Sequence, residues 1–286
     1  MIDEFRYSNW LLRRGSEYVL ARAPIVKRAY WRYAPTYYRW KISRQMDHDA
    51  PLDPLKIVWV NPDQISRMSG RKNIIDDRWQ DIGTVRNDGW DKCVPGDPTS
   101  PEKKHLEGVF SAKKIEDTGI FRSFEKHFNH GIRWEETTLF QSLHSAVNDG
   151  ITIWRGSQSR EDILARCRKI DNLYQEIKNH GYKSQFELFQ QHGLDTKHVG
   201  FLDLLTDEVS IDIDRDGELL FADGRHRICL AKVLDLEAIP VVVLVRHRQW
   251  LKRRDEICRD QERPEITNHP DLAEAVPENE HRVLQP

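Results

Sequence analysis

Between Val209 and Val245 the chain is written as strand, turn, strand, turn, helix, strand, and that order demands a sheet with a helix laid across it. Val209-Ser210-Ile211-Asp212-Ile213-Asp214 alternates apolar and polar residues, as a half-buried strand does. Asp216-Gly217 is a hairpin turn pair, and Glu218 to Ala222 returns as the partner strand. Asp223-Gly224 makes a second sharp turn. Arg225-His226-Arg227 then opens a helix to about Leu234 that buries Ile228, Ala231 and Leu234. Ile239-Pro240-Val241-Val242-Val243-Leu244-Val245 is nearly all apolar, the signature of a strand covered on both faces. A charged helix, Trp250 to Asp260, closes this block.

The second turn concentrates chemistry. A helix N-terminus offers unpaired backbone N–H groups and a partial positive charge. Two arginines and a histidine in the first turn add charged donors suited to a phosphate or another anion. Asp223, Gly224, Arg225, His226 and Arg227 are therefore the expected binding residues, with His226 also a candidate for catalysis. The competing reading is that Arg225 and Arg227 pair with Asp212, Asp214 or Asp216 across the hairpin, contacts worth about 0–1 kcal/mol at a surface.

Upstream, Leu55 to Val60 predicts a strand and Asn61-Pro62-Asp63-Gln64-Ile65 a turn out of it. Residues 66–120 are rich in Gly and Pro and read as a loop-rich insertion, with short strands near Ile82 to Val85 and Val109-Phe110. Phe121 to Phe140 reads as helical at its start. His127 and His130 stand at a metal-ligand spacing with His144 nearby, but no third ligand has a diagnostic position, so a packing role is expected and no metal site. Trp134-Glu135-Glu136 reads as a solvated helix start. Ser159 to Gly181 predicts the best helix: Ser159 and Asp162 resemble a capping box, Ile163, Cys167, Ile170, Leu173, Tyr174 and Ile177 share a face, and Gly181 ends it. A further helix is expected from Ser184 to Gln191. Cys93, Cys167, Cys229 and Cys258 form no C-x-x-C, which suits reduced thiols and a cytoplasmic protein rather than disulfides or structural zinc.

The net charge of −2 hides a polarity. Residues 1–45 hold ten Lys or Arg against three Asp or Glu, interleaved with Trp10, Tyr30, Trp31, Tyr33, Tyr37, Tyr38 and Trp40. Pro24 and Pro35 are expected to cut this arm into short helical pieces. Such a stretch suits a helical arm packed on the core, peripheral contact with an anionic membrane, or single-stranded nucleic acid. From about Pro264 the chain reads as a mobile acidic tail. The expected organisation is an arm (1–50), a main domain (55–250, with 66–160 inserted) and a C-terminal helix with its tail (251–286). No apolar run reaches a membrane span, and the acidic start is not a signal peptide.

Several blocks together resemble the ParB/sulfiredoxin superfamily: Val60-Asn61-Pro62-Asp63-Gln64-Ile65, Leu173 to Tyr182, and Phe221-Ala222-Asp223-Gly224-Arg225-His226-Arg227 followed by Ala231-Lys232 and Ile239-Pro240-Val241. The resemblance covers residues 55–65 and 165–250. It implies an α+β fold with a small mixed sheet and packed helices, and a Gly-x-x-Arg turn that cradles nucleotide phosphates. Gly224 would admit the phosphate and Arg227 would be the phosphate arginine. Arg225 stands where sulfiredoxins carry their cysteine, which argues against sulfinic acid reduction. The partition proteins' Glu after the Gly is absent, and the 36 residues after Trp250 are too few for their helix-turn-helix module. In the superfamily's serine kinases an acidic residue near the first strand is the base, and Asp63 is the nearest counterpart.

The expectation is therefore nucleotide or phosphate binding, with small-molecule phosphotransfer as the candidate activity. The implied ligands are a nucleoside di- or triphosphate with Mg²⁺, or a phosphorylated small molecule. A non-enzymatic membrane-associated adaptor and a nucleic-acid-binding or nuclease protein are the alternatives, and the sequence leaves open whether the chain is an enzyme.

Overall fold

The computed structural model describes residues 24–46, 48–71, 80–93, 95, 106–154, 156–192, 200–259 and 269–272. Within them lie eight α-helices and one mixed six-stranded sheet. The helices are α1 (Pro24–Ser43), α2 (Gly119–His130), α3 (Thr138–Asn148), α4 (Arg160–His180), α5 (Gln185–His192), α6 (Phe201–Thr206), α7 (Arg225–Val233) and α8 (Arg248–Arg259). The strands are β1 (Ile57–Val60), β2 (Ile65–Met68), β3 (Thr84–Arg86), β4 (Val209–Ile213), β5 (Leu219–Asp223) and β6 (Ile239–His247).

The sheet runs β1-β6-β4-β5-β2. The centre is β6, buried at every position. It pairs parallel to β4 on one side; on the other it pairs antiparallel to β1 and then parallel to β3. The hairpin β4–β5 forms as the alternation predicts, and its turn closes where Gly217 takes φ +94°. A Cβ there would sit 2.5 Å from the Trp250 ring, so the turn needs glycine for both conformation and space. One face of the sheet packs against α2, α3, α4 and α7 through residues such as Phe124, Leu143, Ile163 and Ile228. The other packs against α1 and α6 through Ala34, Ile42, Phe201 and Leu205.

Several expectations change. The arm is not cut at Pro35: α1 runs through it as one 20-residue helix. The backbone bond that Pro35 forfeits is offset by the burial of Trp31, Ala34, Tyr38 and Ile42 against the second core. Residues 1–23, the rest of that arm, lie outside the described residues. Phe121 to Phe140 is two helices, α2 and α3, separated at Gly131. Val109-Phe110 is not a strand, whereas Ile65–Met68, read as turn and loop, is strand β2.

The acidic tail is anchored as well. His269 to Leu272 docks on the core, and Asp271 is buried between Arg246 and Trp250. Arg246 makes two short bonds to its carboxylate, Nη2 to Oδ1 at 2.6 Å and Nε to Oδ2 at 2.9 Å. Arg254 Nε donates to its carbonyl at 2.9 Å. Burial alone would raise the Asp271 pKa, but the Arg246 guanidinium and the Trp250 N–H hold it at about 2.

Asp271→Ala strands Arg246 in the interior and should lower the unfolding free energy by about 3–5 kcal/mol in urea titrations. Because the folded pKa is depressed, this contribution is present above about pH 4 and is lost as pH falls through about 2. Removing residues 260–286, which takes Asp271 together with His269 and Leu272, should cost at least as much as the point substitution.

Candidate functional site

The start of α7 is fixed by one close packing. Gly224, at φ +99°, lies over β4 such that a Cβ would come within 3.0 Å of Val209 Cα and 3.2 Å of its Cγ2. The close approach that requires glycine is therefore to the sheet, which sets the helix N-terminus directly above the first residue of β4. Asp223 turns its carboxylate back onto the same bend, Oδ1 accepting from the Gly224 N–H at 2.7 Å. No side chain caps α7.

The three basic residues that follow point in different directions, as consecutive positions about 100° apart on a helix must. The Arg225 guanidinium lies 5.8 Å from the centre of the Phe110 ring. Beneath it Met68, Ile115, Ile120, Phe221 and Cys229 line a void of about 10 Å³, room for one water. His226 stacks on Phe124 at 6.0 Å and meets Trp154 edge-on at 5.6 Å. Trp154 is itself held in a left-handed conformation, φ +43°, beside the bridge between Ile153 and Ser157. A non-glycine residue pays roughly 1–2 kcal/mol for that conformation. Phe110, Phe124 and Trp154 all come from the 66–160 insertion, so the insertion forms the aromatic wall of this site.

Arg227 faces the other way, toward Glu208 and Tyr182. Its Nη1 lies 3.6 Å from Glu208 Oε2, an ion pair too long to be a hydrogen bond. Glu208 is wholly buried, and its Oε1 accepts a short bond from the Gln185 N–H at the start of α5. Burial drives the Glu208 pKa up to about 7; the Gln185 N–H and Arg227 oppose this rise, and Glu187 and Asp207 reinforce it. Burial likewise raises the Tyr182 hydroxyl to about 12.

These side chains share one deficit. Of the seven buried side-chain polar atoms without a hydrogen-bond partner among the described residues, four surround this helix start: Arg225 Nε, Arg227 Nη1, Glu208 Oε2 and Tyr182 Oη. Unpaired buried polar atoms each cost about 1–3 kcal/mol, so proteins keep few of them without a use. The arginines are not spent on the hairpin aspartates. Asp212 is bound by Ser69 and Arg71, Asp214 by Arg67, and neither arginine of α7 reaches them.

Other sequence expectations are not assembled here. Asp63 pairs with Lys232 at 3.2 Å, and Lys232 also holds Glu116 at 2.7 Å. Lys232 lies six residues beyond His226, about 9 Å along the helix, so the carboxylate of Asp63 is engaged further along α7 than the His226 turn. Trp134 donates to Asp171 and Glu135 pairs with Arg160, both one layer back from His226. His127 stacks on Trp134 and faces Asp171, and among the described residues no group of three His, Cys, Asp or Glu could hold a metal. Asp223 is the carboxylate at the bend that could help hold a magnesium ion, and one of its oxygens already serves Gly224. All four cysteines are free thiols, and Cys229 is buried below Arg225.

Glu208 was not among the expected residues. Its one sequence signal is a carboxylate immediately before an apolar strand, which solvated strand starts share; the burial comes from α5, α7 and Tyr182 closing on it.

A raised folded-state pKa means that Glu208 supports the fold most below its unfolded value near 4.5, and that this support is lost as pH rises through about 7. Glu208→Gln should therefore match the parent chain near pH 4 and be the more stable of the two from pH 7 upward, by on the order of 3 kcal/mol. Paired thermal melts across pH 4–8 check this. A constant difference at every pH would contradict it.

No family model, curated protein or solved structure matches this chain.

Proposed function

We propose that the chain is a divergent ParB/sulfiredoxin-like protein that binds the phosphate end of a nucleotide or a phosphorylated small molecule at the start of α7. One observation carries this reading: two arginines, a buried glutamate and a tyrosine, each with an unsatisfied polar atom, flank an uncapped helix N-terminus. A phosphate supplies the acceptor that Arg225 Nε lacks, offers Arg227 a closer one than Glu208 at 3.6 Å, and sits where the helix dipole favours negative charge. The separation of the two arginines suits a chain of phosphates along the helix end better than a single enclosed ion.

Phosphotransfer is the activity this arrangement would support. It needs cationic clamps and a group that exchanges a proton near neutral pH. Glu208 is the carboxyl with that property at the site, which moves the expected acid–base role from Asp63 to Glu208. His226, held between two aromatic rings, is better placed to donate a hydrogen bond to a phosphate oxygen than to shuttle protons. The void below Arg225 cannot take a base, so the rest of the ligand lies across the surface between Phe110 and Trp154, where aromatic faces are on offer.

A thermal-shift screen against nucleoside di- and triphosphates and sugar phosphates, each with Mg²⁺, tests the reading. At a hundredfold excess over the dissociation constant the melting temperature should rise by about 5–10 °C. Arg227→Ala should abolish the rise. A wild-type chain stabilised by none of these ligands would end the proposal.

A further inference from the structure

The helix α1 has two apolar faces, and the fold accounts for one of them. Tyr30, Trp31, Ala34, Tyr38 and Ile42 pack on the core. The opposite face carries Val26, Tyr33, Tyr37 and Trp40, which at 100° per residue fall within about 40° of one outward direction. Tyr33 is 64% exposed, Trp40 56% and Ile25, at the helix start, 85%. Five of the six large hydrophobic side chains exposed among the described residues belong to this one helix. The sixth, Trp59 on β1, shares the sheet face with Ile57, which packs toward α1.

The charge around the stripe has one sign. The helix contains no acidic residue. Arg32 flanks the stripe on one side and Lys41 on the other, with Arg44 at its end, all exposed. Three of these cations lie against the rings: Arg44 5.0 Å from Trp40, Arg32 5.9 Å from Tyr33 and Lys41 6.0 Å from Tyr37.

We infer that this face of α1 docks on an anionic lipid surface, with the helix lying in the interfacial plane. The aromatic rings fit the depth of the headgroups, and the cations beside them reach outward to lipid phosphates and carboxylates. Single-stranded nucleic acid, the other polyanion with a taste for aromatics, fits less well. Ile25 and Val26 offer nothing to stack a base on, and Tyr37 is engaged by Tyr38 at 5.2 Å and Trp40 at 6.4 Å instead of standing open as a slot. This surface is independent of the α7 site and survives or fails without it.

Co-sedimentation of the full chain with phosphatidylcholine vesicles, with and without phosphatidylserine, tests the inference at 0.1 M salt. The chain should pellet with the anionic vesicles and not with the neutral ones. The charge variant Arg32→Gln, Lys41→Gln, Arg44→Gln should weaken partitioning about a hundredfold. The ring variant Tyr33→Ser, Tyr37→Ser, Trp40→Ser should weaken it at least as much as loss of insertion requires, roughly tenfold or more. Both should melt within a few degrees of the parent, because the altered residues are exposed. Three results would each overturn the inference: no pelleting with anionic vesicles, pelleting unchanged in the ring variant, or tighter binding to a single-stranded oligonucleotide than to vesicles.

Discussion

The seat of Gly224 on Val209 governs everything around the candidate site. A backbone at φ +99° over a valine Cα leaves no room for a side chain, and it locks the first turn of α7 to the first residue of β4. Glu208 directly precedes Val209, so the contact that seats the helix also brings a carboxylate to Arg227. The hairpin fixes the other side: β5 ends at Asp223, whose carboxylate holds the Gly224 N–H. The direction of the helix dipole, the placing of the arginines and the burial of Glu208 are thus consequences of a single tight crossing.

Charge is treated in two ways in this interior. At the far end of the sheet the carboxylates are closely paired: Asp212 with Arg71, Asp91 with both ends of the half-buried Arg215, and Asp271 with Arg246, whose Nη1 is nonetheless left without a partner. Those pairs meet the desolvation cost with short, often forked bonds. Around α7 the same chemistry is left open. Arg227 stands off from Glu208, Arg225 rests on a ring, and Tyr182 has no acceptor.

Local rules made much of this readable in the sequence. The capping box of Ser159 and Asp162 forms as the spacing implies, the Asp216-Gly217 turn closes the hairpin, and the all-apolar β6 is buried throughout. What escaped depends on distant partners. Ile65–Met68 becomes a strand because β5 offers it an edge, although half of its residues are polar. Asp271 sits in a stretch whose composition resembles a solvated tail, and only the meeting of Arg246, Trp250 and Arg254 makes it a buried anchor. Glu208 is hidden for the same reason. The motif around Gly224 was legible because turn chemistry is local; the partner that could give it acid–base chemistry was not, because burial is not local.

The insertion then takes on a definite role. Phe110, Phe124 and Trp154 come from outside the sheet and the helix that follows the Gly224 turn, and they pack beside Arg225 and His226. Trp154 is held there in a conformation that a non-glycine residue avoids, and strain of that kind persists only where surrounding contacts enforce it. Aromatic rings line one side of the helix start beside Arg225 and His226 and lower the local polarity there. They strengthen any anion contact made there, because charge attraction grows as the local dielectric falls. If the bend at Gly224 binds an anion as proposed, the insertion is the part of the chain that would give the site its selectivity, through ring faces rather than further charge.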